Sequence, residues 1–126
     1  MAFTDYLENK LLAHTFSNTA YTSPATVYAA LYTVAPTDST TGTEVSGGGY
    51  VRLAASFTTT GSASTNAAAL EWATATAGYG TVVAVAVLDA STSGNMLAFA
   101  SLDASKTIAT GDVFRIPAGD LDITLD

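Results

Sequence analysis

The sequence predicts a mainly β fold, an antiparallel β-sandwich of seven or eight short strands preceded by one N-terminal α-helix. Three observations carry this expectation. Residues 81–88, Thr-Val-Val-Ala-Val-Ala-Val-Leu, are the most apolar run of the chain and have the composition of a central strand. The segment 89–94 is a dense turn signal between that run and 95–102, so the two read as a hairpin. Near the end, Leu121, Ile123 and Leu125 alternate with Asp122 and Thr124, the pattern of a strand with one wet face.

The helix is read over residues 4–16. Thr4 is suited to cap it, Asp5 and Glu8 fall in its first turn, and Lys10 and His14 lie toward its end, a polarity that complements the helix dipole. At 100° per residue, Phe3, Leu7 and Leu11 form one apolar stripe, while Leu12 and Phe16 fall nearly opposite. One stripe would face the chain's own sheet and the other a neighbouring subunit. Alternatively, the helix ends near Ala13 and Phe16 turns into the core.

After residue 17 the signals are those of β structure. Residues 26–34 are dense in β-branched, aromatic and aliphatic side chains and are closed by Ala35-Pro36. A polar loop follows over 37–49, then a strand over 50–57, a hydroxyl-rich loop over 58–66, and a strand over 68–73 that carries Leu70 and Trp72. Short strands are expected at 106–109 and 113–116, with a turn at 117–120. The connections are mostly too short for crossover helices, which makes the sheets antiparallel. Residues 1–126 are read as a single domain, with 1–17 as the helix region and 18–126 as the sandwich. Both 37–49 and 58–66 are expected to face away from the core.

Composition restricts the function. Charged residues are 12% of the chain and the net charge is −7, whereas ordinary domains carry roughly 25% charged residues. A hydroxyl-rich, weakly charged surface suits contact with other proteins, because few ions must be desolvated. The basic residues are Lys10, Arg52, Lys106 and Arg115, and they do not cluster in sequence. That argues against nucleic acid and against an anionic membrane as partners. The N-terminal residues lack the apolar core of a signal peptide, and no apolar run approaches the roughly 20 residues of a membrane span.

Catalytic chemistry has little to build on. His14 is the only histidine, cysteine is absent, and no Gly-x-Ser-x-Gly elbow or phosphate-binding glycine motif is present. Asp89, Asp103, Asp120 and Asp122 lack the spacing of a calcium loop. The expectation is therefore no enzyme, no cofactor and no metal. Tyr21, Tyr28, Tyr32, Tyr50, Trp72 and Tyr79 suit a core or an interface, with a sugar platform as the less frequent use of such aromatics.

The order of several segments carries a resemblance. These are residues 3–12 (FTDYLENKLL), 21–32 (YTSPATVYAALY), 48–52 (GGYVR), 66–68 with Trp72, 80–82, 94–100 (GNMLAFA) and 118–125 (AGDLDITL). In this order the chain resembles a group of small tailed-phage virion proteins, labelled tail-fibre proteins and in some particles head-decoration (cement) proteins. The resemblance implies a structural virion component with other virion proteins, coat or tail, as partners, and it suits a homo-oligomer. The first expectation is a head-decoration protein bridging coat subunits. The second is a tail-fibre or baseplate adaptor, and the third is a receptor- or glycan-binding module. The candidate assembly contacts are Phe3, Leu7, Leu11, Leu12 and Phe16.

Overall fold

The computed structural model describes residues 1–125. Its elements are, in chain order, β1 (Ala2–Phe3), α1 (Asp5–Phe16), β2 (Val27–Val34), β3 (Thr43–Glu44), β4 (Leu53–Ala55), β5 (Phe57–Thr60), β6 (Ala63–Asn66), β7 (Leu70–Glu71), β8 (Gly80–Leu88), β9 (Met96–Ile108), β10 (Arg115–Ile116) and β11 (Asp122–Thr124). All strand pairs are antiparallel. The main sheet runs β1-β9-β8-β2-β3, with β4 also pairing β2. A three-stranded sheet runs β11-β6-β5, and β10 pairs β7. The result is a β-sandwich-like fold with one N-terminal helix, as the sequence predicts.

The apolar run over 81–88 is central because both faces of its sheet are covered. On one face, Ala29, Leu31 and Val85 join Leu70, Trp72, Tyr79, Phe114, Ile116 and Leu121 in the larger core cluster. On the other face, Ala30, Tyr32, Ala84, Ala86, Leu88 and Met96 form a smaller one. A strand buried on both faces has no need of alternation, and β8 shows none. Trp72 is 1% exposed and meets Phe114 edge to face at 5.6 Å. Its indole Nε1 has no hydrogen-bond partner.

Several boundaries differ from the expectation. The described residues form eleven strands rather than seven or eight. The predicted strand over 50–57 breaks into β4 and the start of β5, and the predicted strands at 95–102 and 106–109 are one continuous β9. The predicted loop at 58–66 is the β5–β6 hairpin. Threonine is a strand former as much as a loop residue, and Gly61-Ser62 supplies the two-residue turn. Gly61 has φ 61°, the backbone that the first central position of a type II′ turn requires.

Asn66, placed in that supposed loop, is 2% exposed. Its Nδ2 donates to the carbonyls of Ala68 and Pro117 at 2.9 and 3.0 Å, and its Oδ1 accepts from the Leu121 N–H at 2.9 Å. It therefore ties the 117–121 turn to the end of the hairpin. Within 37–49, most residues are exposed as expected, but Val45 is in the core.

Candidate functional site

The helix is held by its root. Thr4 is 5% exposed and caps the helix by accepting from the Leu7 N–H at 3.3 Å. Its hydroxyl donates to the Met96 carbonyl at 2.6 Å, and its own N–H donates to the Leu97 carbonyl at 3.0 Å. Asp5 N–H reaches the Asp38 carbonyl, and β1 pairs Ala2 and Phe3 with Phe99 and Ala98. Beyond this anchor, no residue of α1 is buried. Phe3, Leu7 and Leu11 are only half-buried, so the expected stripe lies on one side without entering either core cluster. Hydrogen bonds at the root position the helix together with the half-buried side of Leu7 and Leu11.

Leu12 and Phe16, one turn apart, are 58% and 80% exposed. The helix continues through Phe16 instead of ending near Ala13, and the Phe16 ring does not turn into the core. His14 Nδ1 accepts from the Tyr21 N–H at 3.1 Å, and Ser17 and Thr19 N–H both donate to the Ala13 carbonyl, with Asn18 at φ 54°. This cap finishes the helix and sends the chain back toward β2. The molecule exposes 6905 Å², somewhat above the roughly 6,000 Å² expected at this mass.

A second constellation was not singled out by the sequence. Arg52 donates from Nε and Nη2 to the two oxygens of Glu44, each at 2.9 Å, and from Nη1 to the carbonyls of Ala90 and Ser93 at 2.9 and 2.8 Å. Tyr50 donates to Glu44 Oε2 at 2.8 Å and accepts from the Leu31 N–H at 2.9 Å. Burial pushes the Tyr50 phenol far above its ordinary range; the Leu31 N–H opposes this and Glu44 reinforces it. Burial, with Glu44 adding to it, moves Tyr32 up to about 12. The hydrogen bonds that Arg52 donates to Glu44 hold its guanidinium pKa above the ordinary value and keep it charged. Every polar atom of the Arg52–Glu44 fork is engaged, so the group is a clamp joining β2, β3 and the 89–95 turn. A lone Arg in a strand-like run was the available signal for it.

That turn is built on Asp89. Its carboxylate accepts from Asn95 N–H at 2.7 Å and from Asn95 Nδ2 at 3.1 Å. Gly94 has φ 75°, and a Cβ there would lie 2.6 Å from Asp89 Oδ1, so only glycine fits. Asp89 is thus committed to the turn. Among the described residues no three His, Cys, Asp or Glu side chains gather as metal ligands, and no helix is long and apolar enough to cross a membrane. A depression of about 480 Å³ is an open groove along β9 bordered by Asp103, Lys106, Phe114, Arg115 and Asp122.

No curated protein matches the chain. A protein-family model described as podophage GP4 fiber I protein gp80 matches residues 2–124. A match that spans the helix, every strand of the main sheet and both smaller sheets places the chain in that family, and it belongs to the family of the podophage GP4 fiber I protein gp80.

Proposed function

We propose that this protein is a non-catalytic structural component of a tailed-phage fibre, which assembles with other virion proteins through the exposed face of its N-terminal helix. The observation that carries the reading is a helix rooted by Thr4, with none of its residues buried and with Leu12 and Phe16 presented to solvent. An anchored helix with an exposed apolar pair suits a helix-in-groove contact. The family description supports the fibre in preference to the head-decoration reading. Covering what remains exposed of both side chains contributes roughly 2 to 4 kcal/mol, an amount that matters where a contact repeats along a particle.

The test is the double variant Leu12→Ser/Phe16→Ser. The isolated chain is expected to keep its melting temperature, because both positions are exposed, while its incorporation into particles falls. A large loss of stability with incorporation falling only in proportion would refute the contact. Imaging of an assembled virion decides between fibre and head surface.

A further inference from the structure

Most strand edges in this fold are only two or three residues long or carry a charge, and β5 is the exception. The outer edge of β11 carries Asp122, whose carbonyl accepts from the Met1 ammonium group at 2.9 Å. The edge of β9 beyond β1 carries Asp103 and Lys106 and has a register shift against β8. The edges at β3, β7 and β10 are two residues long and carry Glu44, Glu71 and Arg115. β5 has none of these devices. It pairs β6 in regular register from Phe57↔Asn66 to Thr60↔Ala63 and has no other neighbouring strand. Residues 53–70 contain no charged residue and no proline. An open, regular, uncharged edge is the form that accepts another strand.

The hairpin register shows which groups are free. A two-residue turn closes on a hydrogen-bonded pair, here Thr60 with Ala63. Pairs then alternate, so the backbone N–H and C=O of Phe57 and Thr59 point away from β6. Among the described residues those groups make no other backbone hydrogen bond. Thr58, Thr59 and Thr60 are exposed, and Thr58 lies on the outer face with Thr60 and Thr124.

We propose that β5 pairs antiparallel with β5 of a second copy, about a two-fold axis at Thr58. In that register Phe57 of one copy faces Thr59 of the other, which engages all four outward groups on each side and is self-complementary, as an isologous contact must be. The choice of a second copy rests on charge. Two chains of net charge −7 repel, and this edge lets them approach without bringing carboxylates together. The pairing extends the β11-β6-β5 sheet into a six-stranded one. Two four-residue strands bury well under the roughly 1,200 Å² of a stable interface, so the dimer is weak in solution and gains from repetition in a particle. This inference deepens the assembly reading above but uses a different surface.

The experiment is sedimentation equilibrium of the full chain at concentrations up to about 1 mM. Wild type is expected to dimerise reversibly. Thr58→Asp and Thr58→Lys each place two like charges directly across the axis and are expected to weaken association about tenfold or more. An equimolar mixture of the two variants is expected to recover it as a heterodimer. Thr59→Pro removes an outward N–H that β6 does not use and is expected to weaken association as well. Circular dichroism of each variant checks that the fold is retained. A wild type that stays monomeric, single variants that associate like wild type, or a mixture without recovery overturns the proposal. If Leu12→Ser/Phe16→Ser abolishes the dimer while the Thr58 variants keep it, the edge proposal fails and the helix reading stands.

Discussion

Arg52→Ala removes a guanidinium whose side chain is 9% exposed and which makes four hydrogen bonds. The variant leaves the Glu44 carboxylate without its cation and strands the carbonyls of Ala90 and Ser93. Breaking a buried pair from one side costs about 3 to 5 kcal/mol. Glu44 is 25% exposed and recovers some hydration, so the lower end, about 3 kcal/mol, applies. At a domain of this size that corresponds to a fall in Tm of about 12 °C. Urea unfolding monitored by Trp72 fluorescence measures it. Arg52→Lys keeps the charge but lacks the fork, so it is expected to lie between wild type and Arg52→Ala. Arg52→Met/Glu44→Leu, which removes both charges, is expected to lose less than Arg52→Ala alone. The Arg115–Glu71 pair, at 3.9 Å with side chains 53% and 63% exposed, is the internal control, and Arg115→Ala is expected to change stability by less than about 0.5 kcal/mol. A loss of under about 1 kcal/mol for Arg52→Ala, the level of a surface pair, would refute the clamp.

Three further outcomes follow from the geometry. Asn66→Ala leaves the Leu121 N–H and the Ala68 carbonyl unpaired and takes one of two hydrogen bonds from the Pro117 carbonyl, which keeps the Asp120 N–H, and a loss of about 3 kcal/mol in chemical denaturation is expected. Tyr32, raised from 10.0 to about 12, stays protonated in the folded state when its unfolded counterpart ionises. Its contribution is complete below pH 10 and is lost as pH rises toward 12; a stability that stays flat across that window in alkaline unfolding would contradict this. Gly94→Ala forces a side chain onto φ 75° and into Asp89, so a loss above about 1 kcal/mol is expected in thermal unfolding.

The sequence by itself determined the class of fold and much of the outline. Thr4, Asp5 and Glu8 announce the helix because caps and dipole partners act within one turn. The run over 81–88, the 89–94 turn and the alternation from Leu121 to Ile123 are local patterns whose meaning does not depend on distant residues, whereas Leu125, read as part of that alternation, lies past the strand and is 57% exposed. The burial of Trp72 follows from the same logic. The exposed side of the helix was also legible as a two-sided apolar pattern, although its spacing could not show that the other side would remain only half-buried.

Tertiary structure decided the rest. Threonine and serine between 58 and 66 satisfy both loop and strand statistics, and only pairing with β11 makes that segment a sheet. Asn66 is a hub because residues 117 and 121 come to it from across the chain. Arg52 and Glu44 meet the 89–95 turn, a neighbour more than thirty residues away in sequence. Which edges are covered is likewise a property of the assembled sheets. A strand's own residues set what its edge offers, but the path of the whole chain decides whether anything already lies beside it, and that is why β5 became visible as an open edge only in three dimensions.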